Sequence, residues 1–171
     1  MSFVHTSYSN QERLKVQSLL RQDIHETKDH LLVEKKGFPI FHGKTFNRLR
    51  KDQWLNDEII NFYMLLLQER DTELCRLKGG NDRHRAMFFS SFFFQQLLNP
   101  TTMAYDFSAV ARWTKYDVFL VKRLYFPLNY NSHWTLFTVD INLRLIRYYD
   151  PMSGEANSHA NILKRWLLDE A

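Results

Sequence analysis

Apolar residues recur at helical spacing near the end of the first third of the chain. The pattern predicts a helix over Trp54–Arg70, because several apolar side chains fall on one stripe of it: Ile59, Ile60, Tyr63, Met64 and Leu67. Either Asn56 or Asp57 can cap the start of this helix, since short polar side chains accept hydrogen bonds from the first free backbone N–H groups.

Strict alternation appears later in the chain and predicts two paired strands. In His133–Asp140 the side chains of Trp134, Leu136 and Thr138 face one way, and those of the intervening residues face the other. Leu143–Asp150 forms the second strand, and the two are joined around Ile141–Asn142. We expect a hairpin or an adjacent strand pair.

The shorter segments complete the predicted organisation. Met87–Leu98 is dense in phenylalanine and predicts a buried strand that runs into a helix. The other predictions are a helix over Ser9–His25, a charged linker over Glu26–Gly37, an extended entry over Phe38–Phe46, a polar loop over Asp71–Arg85, a helix over Asp106–Lys115, strands over Val118–Val121 and Leu124–Phe126, and a helix over Asn157–Ala171. Helices that precede a run of strands, with a helix after them, indicate an α+β domain.

Composition narrows the class of protein. A chain of 171 residues with 44% hydrophobic and 15% aromatic residues suits one folded domain with a ring-rich core. The net charge of +4 is small and scattered, so we expect no nucleic-acid partner. A single cysteine allows no internal disulfide and favours an intracellular site, in the nucleus or cytoplasm. The longest apolar run, Phe62–Leu67, is far too short for a membrane span, and we expect no membrane partner.

His133 and Asp150 are the first candidates for chemistry. If the two predicted strands are adjacent, the side chains meet at one edge of the sheet. A carboxylate beside an imidazole fixes its tautomer and stabilises the imidazolium, which a general base requires. The alternative is a strand-edge histidine and a turn aspartate before Pro151 without a catalytic role.

Five blocks of sequence, in order, resemble the ubiquitin-like-protein-specific (SUMO/sentrin) cysteine protease family. They are the helix string Trp54–Met64, the Phe-rich Phe89–Phe94, Ala111–Lys115 with its Arg-Trp pair, the His-Trp block Ser132–Trp134 followed by Val139–Asp140, and Tyr148–Ser153, which is similar to a Tyr-x-Asp-Ser-Met block. The resemblance runs from about Lys44 to the C-terminus. It predicts a partial ubiquitin-like protease domain over 38–171, preceded by a helical and charged extension over 1–37.

The resemblance implies a papain-like α+β fold and a Cys-His-Asp triad that acts through a thioester. His133 would be the general base and Asp150 its orienting carboxylate. Trp54 and Trp134 would flank a narrow tunnel for the Gly-Gly tail of SUMO or another ubiquitin-like modifier; the alternative for both is core packing. Asp57 would contact a basic residue of the modifier, or simply cap its helix. The family chemistry implies no metal and no cofactor, and we expect a monomer.

The family's nucleophile is the expected feature that this sequence lacks. The Gln-x-x-x-x-x-Asp-Cys-Gly block would follow the helix over Asn157–Ala171, so we expect a fold that is incomplete at its C-terminus and inactive. Cys75 matches no family motif and is interpreted as a bystander or a surface thiol. Three explanations stay open: a fragment of an active protease, a natural short form that binds a modifier without cleaving it, or a cysteine supplied from elsewhere.

Overall fold

The computed structural model describes residues 9–11, 14, 18, 31–33, 41–77, 85–99, 101–102, 104–114, 116–155 and 158–171. These residues belong to two units, Met1–Ile59 and Ile60–Ala171. No helix in the described part of the chain is long and apolar enough to cross a membrane.

The first unit contains a short two-stranded sheet. Strands β1 (Leu31–Val33) and β2 (Phe41–His42) pair antiparallel, and helix α1 (Gly43–Phe46) follows directly. β2 agrees with the extended entry predicted over Phe38–Phe46, but Gly43–Phe46 is helical, so that prediction was wrong in its second half. β1 lies inside the predicted charged linker, where that prediction was also wrong. Most of the predicted helix over Ser9–His25 lies outside the described residues, and the described positions Asn10, Gln11, Leu14 and Ser18 are helical.

Helix α2 (Asp57–Leu77) is longer than the sequence pattern predicted. It continues past Arg70 through seven residues that we expected to lie in a polar loop. Glu73 and Arg76 form an ion pair of 2.7 Å one turn apart, and Thr72 donates its hydroxyl to the carbonyl of Gln68. The polar side chains of this segment thus find partners within the helix. Low hydrophobicity therefore did not mark the end of the helix.

The second unit is organised around a four-stranded sheet with the order β3-β4-β5-β6. Its strands are β3 (Ala86–Phe88), β4 (Arg123–Tyr130), β5 (His133–Asp140) and β6 (Leu145–Tyr149). β3 runs parallel to β4, and the other neighbours are antiparallel. The predicted hairpin of the last two strands is confirmed, with β6 beginning two residues later than expected.

Strand β4 extends further than predicted because it tolerates a proline. Pro127 lacks a backbone N–H, and such a residue normally excludes a central strand. Here the backbone of Arg123 and of Tyr125 bonds toward the β3 side, where β3 ends at Phe88. By the strand's alternation, the nitrogen of Pro127 points to that same side beyond the end of β3, so no ladder bond is lost.

Besides α2, the described residues of the second unit form two α-helices and two 3₁₀ turns. The Phe-rich block forms β3 and helix α3 (Phe93–Leu97), as predicted, and the last helix is α4 (His159–Asp169). The predicted helix over Asp106–Lys115 is only a 3₁₀ turn over Phe107–Ala109, which Asp106 caps by accepting from the N–H of Ser108. Val118–Leu120 is likewise a 3₁₀ turn rather than a strand, because Asp117 accepts from the N–H of Phe119 and starts the turn.

Two amide side chains of α2 fasten the helix to the segment that follows it. Gln68 donates to the carbonyl of Ala86 at 3.3 Å and accepts from the N–H of Phe88 at 3.1 Å. Asn61 accepts from the N–H of Ser91 at 2.7 Å. Because these bonds satisfy backbone groups along β3 and the turn after it, they fix the helix at this edge of the sheet.

The core is built from aromatic rings between the sheet, α3 and α4. Phe93 lies at its centre and is fully buried, with ring centroids 4.9 Å from Phe126 and 5.0 Å from Trp166. The other fully buried or nearly buried rings are Phe89, Phe94 and Phe137. The inner face of β4 and β5 is thereby held rigidly, and that face ends at the site described below.

We predict that Phe93→Ala lowers the free energy of unfolding by about 3–5 kcal/mol, because it opens a cavity among packed rings. Urea denaturation measures the change. Phe92→Ala is the matched control: Phe92 is the preceding residue but 38% exposed, and we expect its loss to cost less than about 1 kcal/mol. Equal costs for the two variants would contradict this description of the core.

Candidate active site

The hairpin of β5 and β6 brings His133 and Asp150 together. Leu136 pairs with Tyr149, so the residue after β6 arrives beside the first residues of β5. Nε2 of His133 lies 2.6 Å from Oδ1 of Asp150. The contact expected from the predicted strand pairing is therefore present in the structure.

A tight turn determines where His133 begins its strand. Tyr130 pairs with His133, and the two residues between them, Asn131 and Ser132, both have positive φ, 50° and 60°. Two consecutive left-handed residues match the twist of a two-residue hairpin, although serine adopts this conformation at a cost of roughly 1–3 kcal/mol. The turn leaves His133 little freedom at the strand's first position.

The Asp150 carboxylate is held by neighbours on its own segment. Oδ1 accepts from the backbone N–H of Met152 at 2.8 Å, in addition to its contact with His133. The hydroxyl of Tyr148 donates to Oδ2 at 3.4 Å, and the Tyr148 ring packs against Phe137 at 4.8 Å. The aromatic core therefore reaches the carboxylate through one side chain.

These contacts set the protonation of the pair. The N–H of Met152 lowers the pKa of Asp150, against the effect of desolvation, and the hydrogen bond with His133 lowers it further. An ionised carboxylate can only accept, so Nε2 of His133 donates to it, and in the neutral imidazole this leaves the lone pair on Nδ1. The Asp150 side chain is 7% exposed and that of His133 31%, so the imidazole is the more accessible partner.

The two tryptophans predicted to line a tunnel occupy different units. Trp134 is half-buried and alternates with His133, so it lies on the face of β5 opposite to the core. Trp54 is 70% exposed and precedes α2 in the first unit. Neither ring belongs to the buried aromatic core, and the tunnel itself stays a prediction.

Asn56, rather than Asp57, provides the cap of α2. Its Oδ1 accepts from the N–H of Ile59 at 3.2 Å, and its amide nitrogen donates to Glu58 at 3.0 Å. Asp57 is the first residue of the helix and half-buried, and among the described residues no ion pair involves it. Of the two roles considered for Asp57, capping is filled by its neighbour.

Cys75 lies away from the pair in the fold. It is buried on α2, one turn after Asp71, whose carboxylate accepts from the N–H of Arg85 at the start of β3. At that end of the sheet Arg123 pairs with Asp140. His133 lies at the other end of the eight-residue strand β5, about 23 Å from Asp140 at 3.3 Å per residue. Because Cys75 is buried, the alternative of a surface thiol is wrong, whereas its interpretation as a bystander stays a prediction.

Sequence reasoning missed the groups that hold the carboxylate. Tyr148 and the N–H of Met152 contact Asp150, yet neither was singled out before. The signal was available in part, since an aspartate that starts a turn commonly accepts from the N–H two residues ahead.

Comparison with known protein sequences places this chain in a family. The profile of the "Ulp1 protease family, C-terminal catalytic domain" matches residues 53–171. Ubiquitin-like-specific protease 1A of Arabidopsis thaliana is 31% identical over 160 residues, which cover 90% of this chain and 31% of that protein. Human sentrin-specific protease 2 is 32% identical over 148 residues, 86% of this chain and 23% of that protein. The chain thus spans less than a third of either relative.

Solved structures share the fold. A structure described as the SUMO protease Ulp1 with its catalytic cysteine oxidised to a sulfinic acid superposes with a TM-score of 0.72 at 23% identity, covering 96% of this chain and 68% of that one. The Ulp1-like SUMO protease catalytic domain of Chaetomium thermophilum gives 0.69 at 19% identity, covering 97% and 67%. The α+β fold of these proteases is therefore the fold of this chain, as the sequence blocks implied.

We predict that the stabilising effect of Asp150 depends on pH in one direction. Because its native pKa is lowered, the contribution is fully present above the unfolded value of about 3.9 and is lost as the pH falls through the native pKa. Urea denaturation of the wild type and of Asp150→Asn, compared from about pH 5 downward, measures this. We expect the wild type to be more stable at pH 5 and the difference to shrink with acid; a constant difference would contradict the pairing.

Proposed function

Because the chain belongs to the Ulp1 protease family, we propose that it carries the acid–base pair and tail-binding residues of a cysteine peptidase. The reaction is hydrolysis of the peptide or isopeptide bond after the C-terminal Gly-Gly of SUMO or another ubiquitin-like modifier. The observation that carries the proposal is the 2.6 Å contact between His133 and Asp150. The region responsible is 38–171, with 1–37 as an extension.

The pair is suited to activate a thiol. A thiol other than that of Cys75, brought to Nδ1 of His133, would give its proton to the imidazole while the resulting thiolate attacks the carbonyl of the terminal glycine. The imidazolium then gives that proton to the leaving amine as the C–N bond breaks and a thioester remains. Water, deprotonated by the same Nδ1, hydrolyses the thioester and restores the thiol. Asp150 stabilises each imidazolium through Nε2 without taking its proton.

Residues outside the pair would select the tail. Trp134 adjoins His133 in sequence on the outer side of β5, where an indole is available to a chain that approaches the imidazole. A diglycine segment is the peptide thin enough to pass beside an indole face, because it carries no side chains. In this proposal the indole of Trp54 lines the other side of the tunnel that holds the Gly-Gly tail. Asp57 attracts a basic residue of the modifier.

A second function follows from the position of the cysteine. Cys75 is the sole cysteine of the 171 residues, and it is buried at the end of the sheet opposite His133. Without a thiol at Nδ1 the pair has no covalent partner, and in this alternative the chain binds a modifier without cleaving it. A binding module of this kind is the alternative to the peptidase.

We predict that the 171-residue chain does not hydrolyse a modifier–fluorophore conjugate. The reason is the distance of Cys75 from His133, and the measurement is the release of fluorophore. Cys75→Ser is the control variant, and it should be equally silent. Turnover that disappears in Cys75→Ser would show that the cysteine reaches the imidazole and would overturn the proposed binding-only state.

We predict that Trp134→Ala weakens binding of a modifier ending in Gly-Gly by about tenfold or more, since an aromatic anchor of an interface contributes about 2 kcal/mol. Calorimetric titration measures the affinity. Leu143→Ala is the control, because Leu143 is 63% exposed in the β5–β6 turn at the other end of the sheet. A modifier without the two glycines should bind wild type and Trp134→Ala alike. Equal affinities of the two variants for the intact modifier would contradict the proposed tail site.

A further inference from the structure

The turn after β6 surrounds the Asp150 carboxylate with backbone groups, in addition to its contact with His133. The N–H of Ser153 donates to the Asp150 carbonyl at 3.1 Å and closes a β-turn over Pro151 and Met152. The backbone then returns toward the side chain of Asp150, whose pKa a hydrogen bond from the backbone of Gly154 helps to lower. The carboxylate is thus bounded by its own turn.

Gly154 stands where any side chain would strike the carboxylate. A Cβ built at this residue overlaps Oδ2 of Asp150 and lies 3.5 Å from its Cγ. The φ of Gly154 is not in the left-handed region, unlike that of Ser153, which is 59°. The backbone here is therefore open to other residues, and only the space taken by the carboxylate requires glycine.

We propose that Gly154 is a positioning residue that keeps Asp150 aimed at His133, and its catalytic meaning rests on the proposed function. A methyl group at this position has one easy way to be accommodated, which is rotation of the Asp150 carboxylate. Rotation carries Oδ1 away from Nε2 of His133, since the present contact of 2.6 Å leaves no slack. The imidazole then loses the partner that fixes its tautomer and orientation.

A side chain added at residue 154 would affect only the site. The strands and the aromatic core contain no atom of residue 154, and the hypothetical contact falls on one side chain alone. We therefore expect Gly154→Ala to fold, to retain its sheet, and to lose the hydrogen bond between the pair.

The first test is the ring N–H proton of His133, observed by NMR in the full 171-residue chain at neutral pH and low temperature. Donation to a carboxylate slows its exchange with water, so we expect a resolved downfield signal in the wild type. We expect the signal to vanish in Gly154→Ala and to persist in Ser153→Gly, which alters the same turn without adding an atom near Asp150. A signal retained in Gly154→Ala, or missing from the wild type, would overturn the proposal.

The second test separates positioning from a general effect on stability. Gly154→Ala is made alone and in the background of Asp150→Ala, and urea midpoints are compared. We expect the midpoint to fall in the wild-type background and to stay unchanged or rise in Asp150→Ala, where the overlapping carboxylate is gone and alanine restricts the unfolded chain. An equal fall in both backgrounds would overturn the role of Asp150. Neither test involves a modifier, so a failure of the proposed function, seen as absent binding, is distinguishable from a failure here.

Discussion

The contact between the Asp150 carboxylate and Nε2 of His133 is the interaction on which the proposed chemistry depends. It exists because the register of β5 and β6 places the end of one strand beside the start of the other. A shift of one residue in the pairing of β6 with β5 would place the two side chains on opposite faces of the sheet. The register is protected by alternation, since Phe137 and Val139 must face the aromatic core while Trp134 and Leu136 face away from it.

The packing of the aromatic core extends to the site. Phe93, Phe126 and Trp166 fix the inner face of the sheet, and Tyr148 extends this packing to the Asp150 carboxylate through its hydroxyl. At the other partner, the left-handed turn Asn131–Ser132 holds His133 at the first position of β5. Backbone strain is thus located next to the imidazole, which is where a rigid geometry has the greatest effect on proton transfer.

Sequence reasoning succeeded where a pattern is imposed by burial on one face. The alternation of His133–Asp140 predicted both the strand and the approach of Asp150, and the phenylalanines of Met87–Leu98 predicted β3 and α3. Sequence reasoning failed where the structure depends on local hydrogen bonding that the hydrophobic pattern does not show. The polar end of α2 is stabilised by pairs such as Glu73–Arg76, and the proline in β4 is harmless only because β3 has already ended. The space that Gly154 leaves for the carboxylate is a three-dimensional property that no periodicity reveals.

In the proposed function, the partly exposed imidazole of His133 and the indole of Trp134 form the end of a path for a diglycine tail. The most direct measurement is a set of intermolecular NOEs between the unlabelled 171-residue chain and a modifier labelled at its last two glycines. We expect contacts from the glycine Hα protons to the rings of both Trp134 and His133. Binding of the modifier with glycine contacts to other surfaces, and none to these two rings, would contradict it.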